Sequence, residues 1–86
     1  MDTKVQENKR RAAISRIVRA LQDGRHLSLF DGAEFAVAEM HTCFCVVRQK
    51  IRDGKITGYV MKDCWRVNAN RIRYKEYWFE DENNEN

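Results

Sequence analysis

An α+β fold, three helices followed by a long β-hairpin, is predicted by the periodicity of the apolar residues. Three observations carry that expectation. Apolar side chains recur at helical spacing through residues 8–24 and again through residues 40–53. Beyond Gly54 the chain turns to β-branched and aromatic residues. Asn68-Ala69-Asn70 then interrupts this second half with residues that tolerate a tight turn.

The first helix is read over residues 8–24. Ile14, Ile17, Val18 and Leu21 share one arc, with Arg16, Arg19 and Asp23 opposite. Gly24 ends it, because glycine takes the left-handed conformation of a helix C-terminus without penalty. Residues 25–28 are a connector. Ser28 with Asp31 matches an N-cap with an acid in the first turn, so a second helix is expected over residues 29–37. Leu29, Phe30, Ala33, Ala36 and Val37 would form its buried side, and Gly32 would weaken it by about 1 kcal/mol. The third helix runs from Met40 or His41 to Asp53 and ends at Gly54. Met40, Cys43, Phe44, Val47 and Ile51 face inward; His41, Thr42, Cys45, Arg48, Gln49 and Arg52 face outward.

Residues 56–67 form the first hairpin strand. Arg71-Ile72-Arg73-Tyr74-Lys75 alternates basic with apolar, as a half-exposed strand does, and Tyr77-Trp78-Phe79 carries the second strand into the core. A bulge near Lys75-Glu76 is expected, so that Tyr77 and Phe79 are both buried. Three helices and then a hairpin is the order of a winged helix-turn-helix, with the hairpin as the wing. The domain spans residues 1–79, and the acidic residues 80–86 are read as a disordered tail.

Eighty-six residues fit one domain with a modest core, which disfavours a deep catalytic cleft. Apolar residues at 43% and charged residues at 34% describe a folded soluble chain. No apolar run reaches the roughly 18 residues of a membrane span. Met1-Asp2-Thr3-Lys4 lacks the apolar stretch of a secretory signal, so a cytoplasmic location is expected. The stretch from residue 4 to 76 holds all sixteen Lys and Arg against eight acids, a net of +8. Such a body suits a polyanion.

The order of short motifs resembles that of small winged helix-turn-helix proteins of phages and bacterial mobile elements. The residues concerned are Leu21-Gln22-Asp23-Gly24, Leu27-Ser28, Asp31-Gly32-Ala33, Ile51-Arg52-Asp53-Gly54, Ile56 and Tyr77-Trp78-Phe79. The likeness covers residues 12–79 and departs in the third helix at Cys43-Phe44-Cys45-Val46. It implies binding of double-stranded DNA, in transcription regulation or a phage or mobile-element process.

The major groove admits one helix, whose outward side chains reach base edges. His41, Thr42, Cys45, Arg48, Gln49 and Arg52 are the candidate contacts there. Arg48 or Arg52 suits guanine, Gln49 suits adenine, and Thr42 suits a phosphate or a thymine methyl. On the wing, Arg66, Arg71 and Arg73 are the candidate contacts, with Lys62 and Lys75 adding charge. Lys9, Arg10 and Arg11 form a further basic cluster. Basic residues on an exposed strand also serve to discourage edge pairing.

Three cysteines, Cys43, Cys45 and Cys64, are read as reduced thiols. His41-x-Cys43-x-Cys45 is set aside as a zinc motif, because residues two apart on a helix point about 200° apart. Cys43 is instead a small core residue. No cofactor, small-molecule substrate or membrane is implied. Nothing in the sequence places His26 or His41, the two histidines, beside Cys64, and no glycine-rich phosphate loop or paired-carboxylate pattern is present, so a non-enzyme is expected. A homodimer is left open, with no zipper to build it. The alternative function is a protein-interaction module, which Cys45 and an exposed Phe35 would suit. A third is RNA binding through Trp65, Tyr74 and Trp78, against which stands the reading of large aromatics as core, above all Trp78.

Overall fold

The structure, a computed structural model, describes the backbone of residues 3–82 and the side chains of residues 10–82. In chain order it contains α1 (Thr3–Gln22), β1 (Leu27–Ser28), a 3-10 turn (Leu29–Asp31), α2 (Gly32–Phe35), α3 (Met40–Arg52), β2 (Tyr59–Val67) and β3 (Arg73–Asp81). Three α-helices and a three-stranded antiparallel sheet of order β1-β3-β2 make it an α+β fold.

The two long helices end as their glycines predict. Gly24 has φ 90°; the Arg25 amide donates to the Ala20 carbonyl (3.1 Å) and the Gly24 amide to Leu21 (3.1 Å). This pair of bonds satisfies carbonyls that a helix end would otherwise leave bare. Ile14, Ile17 and Leu21 of α1 meet Met40, Cys43, Phe44 and Val47 of α3 in the core. Tyr77 and Phe79 of β3 close it from the sheet, and the Phe44 and Tyr77 rings stack with centroids 4.1 Å apart. Each large side chain so buried contributes about 1.5–3 kcal/mol.

The connector after α1 is a strand. Leu27 pairs with Tyr77 and Ser28 with Glu76, which places β1 against the outer edge of β3. Ser28 does act as a cap: its hydroxyl accepts from the Phe30 amide (3.1 Å), while Asp31 Oδ2 accepts from the Ser28 amide (2.7 Å). The element it caps is a 3-10 turn, and the second helix is shorter than expected. Leu29 (50% exposed) and Phe30 (59%) therefore point outward, and Phe35 (4%) is the buried aromatic. The chain leaves α2 through Ala36 at φ 58°, with the Val37 amide donating to the Gly32 carbonyl at 3.0 Å. A Cβ on Gly32 would lie 2.6 Å from the Val37 carbonyl oxygen. Gly32 is thus the residue that lets the chain fold back on itself, not a defect within a longer helix.

The hairpin needs no bulge. Its register is regular from Tyr59↔Asp81 to Val67↔Arg73. Tyr77 and Phe79 are two residues apart, so the pleat alone sends both inward. Between the strands the Asn68 amide donates to the Ile72 carbonyl (3.0 Å), and the Asn68 side-chain oxygen accepts from the Asn70 and Ile72 amides (2.9 and 3.0 Å). Arg71 and Ile72 belong to this turn, Arg71 with φ 62°. Glu80 and Asp81, expected in the tail, pair with Val60 and Tyr59. The remainder of the tail beyond Glu82, and the side chain of Lys9, lie outside the described residues. Among the described residues no helix is long and apolar enough to cross a membrane.

Candidate nucleic-acid interface

α3 carries its outward residues along one side. His41, Cys45, Gln49 and Arg52 are exposed and Thr42 is half-buried. Several are locally engaged: Thr42 Oγ1 donates to Glu39 Oε2 (3.4 Å), His41 Nε2 lies 3.7 Å from Cys45 Sγ, and Gln49 Nε2 donates to Asp53 Oδ1 (2.9 Å). Gln49 keeps its amide oxygen for another donor.

Arg48 is not a free reading group. Its Nη2 donates to Asp63 Oδ2 on β2 at 2.7 Å, and its guanidinium carbon lies 6.0 Å from the Tyr77 ring centroid. Asp63 Oδ1 also lies 3.8 Å from Lys75 Nζ on β3. Arg48 therefore ties α3 to the hairpin.

Beyond Asp63, on the same side of the hairpin, comes Trp65, 58% exposed. The Arg73 guanidinium carbon is 4.9 Å from its ring centroid and Lys75 Nζ is 5.4 Å. Val67, 62% exposed, is next on that side. Arg48, Asp63, Lys75, Trp65 and Arg73 thus form one ladder leading from α3 toward the hairpin tip. Its three cations outnumber its one acid. Cation–aromatic contacts of this kind hold long basic side chains in place while leaving their charge in water.

The pleat separates the hairpin residues that the sequence grouped together. Arg66 faces the opposite side, where its Nη2 lies 3.4 Å from Glu76 Oε1. Glu76 also meets His26 Nδ1 at 2.8 Å. The hydrogen bond with His26, reinforced by the charge of Arg66, holds the Glu76 carboxyl below its ordinary value, although partial burial opposes this. Arg66 therefore drops out of the site formed with α3. Arg71 remains exposed at the tip and Arg73 stays in the ladder.

Trp78 is not core. It shares the Arg66 side, stacks on the His26 ring at 4.8 Å and donates from Nε1 to Glu80 Oε2 at 3.0 Å. Phe35, expected outside, is inside. Cys43 and Cys45 lie on opposite sides of α3, Cys43 buried and Cys45 exposed. Burial pushes the Cys43 thiol above its ordinary pKa.

On the other flank of α3, a cavity of about 500 Å³ is lined by Arg10, Arg11, Ile14, Ser15, Val46 and Lys50. This extends positive charge from α3 onto α1. Of the residues at this surface, Lys50 and Asp63 were not among the sequence-derived contacts, Lys75 entered there only as added charge, and Trp65 only as a stacking candidate for RNA. Strand parity would have found three of them: Asp63, Trp65, Arg73 and Lys75 share one odd-numbered side once the turn register is known.

Comparison with known proteins gives no matching family model, no matching curated protein and no matching solved structure.

Proposed function

We propose that the chain is a winged helix-turn-helix domain that binds double-stranded DNA, with α3 in the major groove and the β2–β3 hairpin as a wing along the adjoining backbone. The observation that carries this reading is the ladder Arg48–Asp63–Lys75–Trp65–Arg73, which joins the outward side of α3 to the hairpin in one basic surface. The element order supports it: α2 and α3 are the helix-turn-helix pair, and β1 anchors the wing by pairing with β3.

Chemistry assigns the roles. Arg52 and Gln49 are the base readers, Arg52 by two bonds to guanine and Gln49 through its amide to adenine. Thr42, Lys75, Arg73 and Arg71 contact phosphates, which fix register but carry no sequence information. Arg48 orients the wing. Nothing in this assignment calls for catalysis, and the process served is transcription regulation or a phage or mobile-element function. Selection of bound duplexes from a random pool, with a salt titration of the winners, tests it. The expected result is an enriched motif and affinity that falls steeply with salt. Failure to retain any duplex at low salt defeats the reading.

A protein-interaction role is favoured by a separate observation on the other side of the hairpin. Leu29, Phe30 and Ile72 are all half-exposed or more, and the Phe30 and Tyr74 rings lie 5.2 Å apart. Arg52→Ala with Gln49→Ala separates the two, since only DNA binding should suffer.

A further inference from the structure

We infer that His41 and Cys45 form a two-ligand chelate for a divalent cation of the zinc class on the outward side of α3. The two residues are four apart on a regular helix, so one side chain lies directly over the next turn from the other. Their donor atoms, Nε2 and Sγ, are 3.7 Å apart. A tetrahedral zinc ion with nitrogen at about 2.0–2.1 Å and thiolate sulfur at about 2.3 Å holds that pair at roughly 3.6 Å. The bite is therefore already set, and both side chains are exposed, so an ion can enter without opening the core.

The donor set also selects the ion. Imidazole and thiolate suit zinc and its borderline neighbours, whereas magnesium and calcium require oxygen ligands. The nearest cation one turn along, Arg48, is held by Asp63 at 2.7 Å, which offsets its repulsion of a metal. Among the described residues there is no group of three or more His, Cys, Asp and Glu side chains suited to a metal. Solvent therefore fills the remaining positions, and the fold does not depend on the ion. Binding releases the Cys45 thiol proton to water as the thiolate takes the metal.

Arg52 and Gln49 lie on the same outward side of the helix. An ion with its water shell at His41 and Cys45 would stand where a base edge must approach. This consequence rests on the DNA reading; the chelate itself does not.

The test is a titration of the full chain, reduced with a phosphine, with Co²⁺ under near-ultraviolet detection of the sulfur-to-cobalt charge-transfer band. The wild type should develop the band and lose it to Zn²⁺. Cys45→Ser should abolish it. His41→Ala should weaken Co²⁺ binding by at least the roughly tenfold that disturbing a ligand's own hydrogen-bond partner costs. Cys64→Ser should leave it unchanged, and thermal melts should show all three variants folded. A band that persists in Cys45→Ser, or none in the folded wild type, overturns the chelate. Zn²⁺ should then weaken duplex binding by the wild type and spare Cys45→Ser. If Zn²⁺ binds through Cys45 while duplex binding is unchanged, the chelate stands and the placement of α3 against bases falls.

Discussion

The two sides of the β2–β3 hairpin are built from the same stretch of sequence and have opposite characters. One side starts in the core with Tyr77 and Phe79 and runs out past Asp63 to Trp65, Arg73 and Lys75, where basic charge is in excess. The other balances its charges in pairs: Glu76 takes His26 and Arg66, and Trp78 lies flat on the His26 ring. A surface that neutralises itself has little left for a polyanion. A surface with unbalanced cations beside a helix is equipped for one. The lesson is that counting arginines along a strand overstates a site by the half that the pleat sends away.

The sharpest way to break this comparison is to substitute neighbours on opposite sides. Tyr77→Ala removes a buried ring stacked on Phe44 and should cost about 3–5 kcal/mol in chemical denaturation. Trp78→Ala, one residue on, should stay near the roughly 1 kcal/mol of an average substitution. Equal losses would mean that the sheet buries both sides.

Next in size is the effect on DNA. Arg52→Ala should weaken duplex binding by about 1–3 kcal/mol, roughly 5- to 150-fold, and relax the preference at one base pair. Arg73→Ala should weaken all sequences alike and lower the salt slope by about 0.9. Arg66→Ala, on the self-neutralised side, should leave fluorescence-anisotropy isotherms nearly unchanged. A large loss there would erase the distinction between the two sides.

Smaller again is Asp63→Asn, which removes the acid shared by Arg48 and Lys75. These groups are partly exposed, so stability should fall by less than about 1 kcal/mol. Duplex affinity should rise, because the ladder gains net positive charge. A fall in affinity would show that a fixed Arg48 matters more than the charge.

The smallest effect is on pH dependence. Glu76 titrates below its unfolded value in the fold, so its stabilising contribution is present above the unfolded value and disappears as pH falls through the folded one. Glu76→Gln should therefore lower stability slightly at neutral pH, where the carboxylate contributes, and flatten stability against pH on the acid side, below about pH 4, where wild type and variant converge. Melting temperatures across that range read it directly.

Legibility in the sequence tracked the range of the interactions. α1 and α3 were readable because periodicity and a terminal glycine are local signals. The Ser28–Asp31 cap was readable for the same reason, although the helix it announced became a 3-10 turn and a single α turn, set by the reversal at Ala36 and Val37. β1 was not readable, because two residues become a strand only when Tyr77 and Glu76 lie beside them. In the site, a helical wheel placed Arg48 outward but could not see Asp63, fifteen residues away. The bulge was expected so that Tyr77 and Phe79 could both be buried, but two residues of the same parity need none in a regular register; Tyr74, of the other parity, packs on Phe30.

Gly32 and Gly54 show two different reasons for keeping the same residue. At Gly54 the space around a Cβ is open and only the backbone angle, φ 76°, restricts the choice. Asparagine, which tolerates that angle, is a workable replacement there. At Gly32 the angle is ordinary and the obstacle is the Val37 carbonyl. Any other letter, asparagine included, must push that carbonyl aside, and with it the short segment leading into α3. The angle at which α3 leaves this reversal thus hangs on one missing methyl group, so a change at Gly32 would shift every outward side chain of α3 at once.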